Sequence, residues 1–184
     1  QHAFALGAHV LLDLYVGGDA AYLRLRESWQ RLSHQLILTS DRFRIFFLFV
    51  RGLAALSALL ADDRDVRARV RLVRACAARL ARERMLDANG GAHMLRGQLA
   101  VYQGELATAA SEYRAAAELW GRVGMYGCNI ARLRLGEILG GAEGAAMIAE
   151  CERWARDEDI QRPELFFRVC GPVTGGHAPP SRAS

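Results

Sequence analysis

The first 162 of the chain's 184 residues contain no proline; its four prolines are Pro163, Pro172, Pro179 and Pro180. Proline inside a helix removes a hydrogen bond and clashes with the preceding turn, at a cost of about 3 kcal/mol, so a long proline-free stretch is what serial helices require. Within it apolar residues recur at steps of three and four, and no segment alternates with a period of two. The chain is therefore predicted to be all-α. The pattern places helices at about 1–16, 20–35, 41–60, 64–87, 92–103, 105–121, 125–138 and 142–157, with a short ninth opened by Pro163. Gly17-Gly18, Asn89-Gly90-Gly91 and Gly104 read as breaks. Asp19 and Ser40 or Asp41 read as N-caps. Asp62, Asp63 and Asp65 place negative charge where the fourth helix begins. The stretch "LILTS" (36–40) is the best strand candidate, and it is short.

Hydrophobic residues make up 52% of the chain, enough for a real core. Its 24 basic residues are all Arg. Without Lys there is no phosphate-loop lysine, no kinase ATP-pairing lysine and no Schiff-base lysine in this stretch. The net charge of +4 does not by itself imply nucleic acid. Cys76, Cys128, Cys151 and Cys170 lack metal-knuckle spacing and sit in helical patterns, which points to reduced, buried small hydrophobes. No signal peptide is recognisable, a cytoplasmic location is expected, and a chain starting at Gln1 reads as a segment of a longer product. Ile45–Ala61, "IFFLFVRGLAALSALLA", imitates a membrane span. Arg51 near its middle and the amphipathic neighbours able to cover it favour a buried central helix, so no membrane partner is expected.

Helices joined by tight turns form antiparallel hairpins, and hairpins in series suggest a solenoid. The fifth and sixth helices resemble a tetratricopeptide repeat. Gly97 stands at the small position of the first helix and Gly104 at the turn. Ala109 and Tyr113 give the small-to-aromatic step, and Ala116 follows in register. His93, Arg96 and Ala100 depart from the pattern, and Gly121 replaces its closing proline. "LDLYVGGDAAYLRLRESW" and "RLRLGEILGG" are fainter echoes.

No catalytic or metal constellation is recognisable. His2 and His9 share a helix face with no third ligand, His34 and His93 stand alone, and His177 lies near the end. No nucleophile elbow is present. Asp157-Glu158-Asp159 reads as a solvated turn, because a catalytic acid wants an apolar pocket. No cofactor is expected. The one conspicuous polar feature is the fourth helix. Arg64, Arg67, Arg71 and Arg74 follow one face, extended by Arg82, opposite Val66, Val70, Val73, Ala77 and Leu80. Such a face suits an anion or an acidic peptide, and it also suits plain solvation in a lysine-free chain. Nucleic acid is disfavoured because no aromatic residues interleave with the arginines.

The segment 154–172, "WARDEDIQRPELFFRVCGP", ends the periodic part. With Leu139, Gly140, Gly141, Glu143 and Gly144 before it, and Trp154, Ile160, Pro163 and Glu164 within it, this ending resembles the C-terminal tetratricopeptide-like region of large bacterial, myxobacterial-type Ser/Thr protein kinases that carry a signal-transduction ATPase module. Arg162 stands where Asn is usual, and the closing pair is reversed as Gly171-Pro172. The resemblance implies a non-catalytic helical-repeat domain that contacts a protein, a peptide or other domains of the same chain. The alternative is an effector-sensing helical domain of an ATP-dependent transcription activator. Kinase and ATPase activities would belong to an upstream part. Residues 1–170 are expected to form the repeat domain and 171–184 a disordered tail. The helix from Pro163 is expected to cap the solenoid by folding over Trp154, with Phe166 largely buried and Phe167 at the margin.

Overall fold

Residues 2–34 and 36–172 are described by a computed structural model. Nine α-helices and no strand occur among the described residues. They are α1 (His2–Val16), α2 (Ala20–Ser33), α3 (Asp41–Ala61), α4 (Val66–Leu80), α5 (Leu86–Tyr102), α6 (Leu106–Arg122), α7 (Gly127–Leu139), α8 (Gly141–Asp157) and α9 (Pro163–Cys170). The strand candidate is instead a 3-10 turn, Leu36–Thr39. None of Asp19, Ser40 or Asp65 makes a side-chain cap hydrogen bond.

Each of α1 to α8 packs on its neighbour in the chain, and α3 also touches α1 and α5. This is the serial packing expected of helical hairpins. The repeat-like residues lie on the α5–α6 pair and the turn between them. A Cβ added to Gly97 would lie 2.7 Å from the Tyr113 ring, so only glycine lets this aromatic residue lie against α5. Ala109, Ala116 and Tyr113 are fully buried beside it. Gly104 turns the chain with φ +78, a left-handed conformation that favours glycine. In α7–α8 the contact is closer still: Gly136 and Gly144 bring the two backbones together, and a Cβ on Gly144 would meet the Gly136 carbonyl at 2.3 Å.

The predicted break at Asn89-Gly90-Gly91 is wrong. These residues lie inside α5, and the fourth helix ends at Leu80 instead of running to 87. The glycines serve packing, not turning. A Cβ on Gly90 would stand 2.5 Å from the Trp120 ring, and one on Gly91 would stand 3.2 Å from Phe49. The indole Nε1 donates to the Asp87 carbonyl at 2.9 Å. Trp120 thus ties α6 to the start of α5, and Gly127 of α7 flanks its other edge.

Helix α3 is long and apolar enough to cross a bilayer, but 67% of its apolar window is buried among neighbours. Phe47, Leu48, Leu53, Ala54, Ala55, Leu56 and Ala58 are all core. That is the packing expected of a central helix in a domain of this size.

The helix opened by Pro163 forms, and it reaches further than the predicted cap. α9 touches α7 and α8, but also α3 and, more extensively, α1. Arg168 Nη2 donates to the Tyr15 carbonyl at 2.6 Å and to the Val16 carbonyl at 3.2 Å. These are carbonyls at the C-terminal end of α1, where a cation is favoured. Gln98 Nε2 of α5 donates to the Cys170 carbonyl at 3.0 Å. An open solenoid leaves its first and last helices apart; here α9 joins them.

The predicted phase of α9 needs correction. Phe167 is buried, 3% exposed, whereas Phe166 is only half-buried. Both rings neighbour Trp154, at 6.1 Å for Phe166 and 6.5 Å for Phe167. Phe167 lines the cleft of α7 and α8 with Leu133, Arg134 and Ile148, while the next residue, Arg168, faces the end of α1. Gly171 and Pro172, assigned to the tail, are buried as well. The remainder of that tail, 173–184, lies outside the described residues.

Candidate functional site

The predicted arginine face is only partly assembled. Arg64 is drawn aside: its guanidinium holds Asp62 at 2.6 Å and Asp19 at 3.1 Å. Arg67, Arg71 and Arg74 remain on the exposed face of α4 and make no ion pair or hydrogen bond among the described residues. Arg82 follows the end of the helix. The opposite face buries Val73, Ala77 and Leu80, as predicted, together with Cys76, and leaves Val66 and Val70 half-buried.

Sequence reasoning missed Arg69 of this helix. Arg69 is 2% exposed; its Nη1 donates to the Ala58 carbonyl at 2.7 Å and to Asp62 Oδ1 at 2.8 Å. Its guanidinium also lies 5.2 Å from the centre of the Tyr22 ring. Hydrogen bonds from Arg64 and Arg69 hold the Asp62 carboxyl well below the usual carboxylate range. The "acidic start" of α4 is therefore an ion-pair clasp on the α3–α4 turn. A similar clasp joins Arg44 to Glu83 at 2.8 Å and lowers the Glu83 carboxyl.

The inner side of the layer holds an apolar cavity. Leu11 of α1, Phe46 and Phe49 of α3, Gly91 of α5, Gly127 of α7 and Cys170 of α9 line one cavity of about 240 Å³. Its walls are apolar and aromatic; Phe49 and Trp120 meet edge to face at 5.8 Å. Arg42 and Asp87 are the charged residues on it. The odd-numbered helices thus face a common interior, and α9 closes it.

A second cleft, of about 490 Å³, lies beside α9 between α7 and α8. Its charges are Arg134, Arg156 and Arg168 against Glu137, Glu152 and Glu164, so the two signs balance. Arg134 is buried and paired with Glu137, while its Nε and the neighbouring Tyr113 hydroxyl have no hydrogen-bond partner among the described residues.

Among the described residues no cysteine is hydrogen-bonded to a His, Asp or Glu side chain. Cys76, Cys128, Cys151 and Cys170 are free thiols. Burial pushes Cys76 and Cys151 up to about 11 and Cys170 to about 12, the opposite of a reactive thiolate. His93 Nδ1 lies 2.6 Å from Glu112 and joins α5 to α6. The side chain of His2 and all of His177 lie outside the described residues. Among the described residues no three His, Cys, Asp or Glu are grouped to hold a metal ion. No known family, curated protein or solved structure matches the chain.

Proposed function

We propose that this chain is a non-catalytic helical-repeat domain that makes regulated protein–protein contacts. In this reading the repeats form a tetratricopeptide-like α-solenoid whose inner row of helices is the contact surface. The observation that carries it is the seating of α9. An amphipathic helix, Pro163–Cys170, already lies across that row, held by buried Phe167 and by the hydrogen bonds of Arg168 and Gln98. A surface that accommodates one amphipathic helix in this way has the geometry of helix-in-groove recognition. The partner is then a protein or peptide, or another domain of the same chain.

The test is recapture in trans. A variant lacking residues 162–184 is expected to bind a synthetic peptide of residues 161–172 saturably, and Phe167→Ala in the peptide is expected to weaken it. Failure of the truncated domain to bind the peptide while it stays folded would contradict the reading.

The ending that resembles bacterial kinase–ATPase chains supports a larger setting: a cytoplasmic signalling protein whose Ser/Thr kinase and ATPase modules precede this domain. Sequencing the gene upstream of Gln1 tests it. A kinase domain there supports the setting, and a short reading frame starting near Gln1 contradicts it. The apolar cavity of about 240 Å³ favours a second reading, the effector-sensing domain of an ATP-dependent transcription activator. A DNA-binding region encoded downstream would distinguish it.

A further inference from the structure

Arg51 sits near the middle of α3, the helix long and apolar enough to cross a bilayer, where an unpaired charge is costly unless something compensates it. It makes no ion pair and no hydrogen bond among the described residues. Its guanidinium instead stacks on Trp29 of α2, 3.8 Å from the ring centre. Burial pulls it below the usual arginine value, and the nearby Arg79 guanidinium pulls in the same direction. No carboxylate counters either effect.

The space beside it explains what could. Between α2, α3 and α4 lies a pocket of about 330 Å³, at the small end of the range for organic ligands. Tyr22, Arg26, Trp29, Gln30, Ser33 and Arg51 supply its polar and aromatic lining. Leu25, Ala54 and Leu72 form its apolar walls. No Asp or Glu lines it, in contrast to the charge-balanced cleft beside α9. Arg26, on the exposed side of α2, makes no ion pair among the described residues and lies 5.9 Å from the centre of the Tyr22 ring.

Stacking on Trp29 uses the face of the Arg51 guanidinium and leaves its in-plane N–H donors free. A stacked, rotationally fixed fork suits two-pronged binding of an oxyanion, at lower entropic cost than a free side chain. The Gln30 side-chain amide adds a neutral donor, whereas the Ser33 hydroxyl already donates to the Gln30 carbonyl at 2.8 Å. We propose that this pocket binds a small organic oxyanion, a phosphate or carboxylate on a planar apolar body. Arg51 and Arg26 engage the anion, and Trp29, Tyr22 and the aliphatic walls hold the body. The site is separate from the inner surface that α9 occupies, so the proposal stands or falls independently of the protein-contact reading.

The experiment titrates the whole 184-residue chain with four probes, followed by thermal shift and calorimetry. Phenyl phosphate and benzoate test the two anion chemistries, inorganic phosphate tests the anion alone, and phenol tests the body alone. At least one aromatic oxyanion is expected to bind saturably and more weakly at higher salt. Inorganic phosphate and phenol are expected to bind at least about tenfold more weakly. Arg51→Met is expected to raise the dissociation constant at least about tenfold, while the ligand-free melting temperature stays unchanged or rises, because an unpaired cation has been removed. A strut arginine would instead lose stability. Arg26→Gln, on the exposed side, is expected to weaken binding without altering the fold. The proposal is overturned if neither aromatic oxyanion binds. It is also overturned if inorganic phosphate binds equally well, if Arg51→Met and Arg26→Gln both leave affinity unchanged, or if Arg51→Met lowers the ligand-free melting temperature.

Discussion

Truncating the two phenylalanines of α9 separately measures how this helix is seated. Phe167 is 3% exposed and touches both the Trp154 and Phe166 rings, with centroids at 6.5 and 5.8 Å. Replacing a buried Phe by Ala loses the transfer energy of the ring and leaves a cavity, about 3–5 kcal/mol together. The expected cost of Phe167→Ala lies near the lower end, about 3 kcal/mol, because an eight-residue helix can undock and limit the loss. Phe166 is half-buried, with Tyr126 at 5.6 Å and Trp154 at 6.1 Å. It forfeits less burial and leaves a partly open space, so Phe166→Ala is expected to cost about 1–2 kcal/mol. Urea unfolding of both variants and the parent, followed by circular dichroism, gives the two numbers. Undocking of α9 alone also predicts a smaller urea slope for Phe167→Ala than for the parent, since less surface is then exposed in the main transition. An equal or larger cost for Phe166→Ala would show that the helix is seated in the other phase. A cost below about 0.5 kcal/mol for both would show that α9 is not packed in solution.

Three further outcomes follow from other contacts. Gly97→Ala puts a methyl 2.7 Å from the Tyr113 ring, so despite alanine's better helix propensity it is expected to destabilise by about 1–3 kcal/mol in urea unfolding. The Asp62 and Glu83 carboxyls are lowered by their arginine partners, so their stabilisation is present above the unfolded carboxylate pKa of about 4 and fades as pH falls below it. The melting temperature is expected to drop on acidification through that range, and Asp62→Asn is expected to flatten that drop. Changing Arg67, Arg71 and Arg74 together to Gln is expected to move stability by no more than about 0.5 kcal/mol, as for an exposed face without partners.

The helices were legible because their signal is periodic and local. α6 repeats Ala109, Tyr113, Ala116 and Trp120 on one stripe, and all four are buried. Glycines misled where a turn and a close approach use the same residue. Gly90 and Gly104 look alike in sequence, yet one admits the Trp120 ring and the other adopts a positive φ. The burial of Arg69 was available in principle: it falls three residues after Val66 and four before Val73, on the apolar stripe. The phase of α9 was not available, because its buried face is set by Leu133, Arg134 and Ile148 of other helices, which an eight-residue pattern does not encode. For the same reason the Arg51–Trp29 stack, formed between α3 and α2, left no mark in either helix's own pattern.

Hydrogen exchange in α1, with and without residues 162–184, tests the closure of the helical layer most directly. Arg168 donates to the Tyr15 and Val16 carbonyls, and α9 packs along α1, so deleting the distant segment removes contacts from the first helix. Amides of residues 11–17 are expected to lose at least about tenfold in protection, about 1.4 kcal/mol of local opening energy, together with losses around Trp154. Loss of protection confined to α7 and α8, with α1 unchanged, would mean that the last helix merely caps the final hairpin, and would contradict a layer closed from end to end.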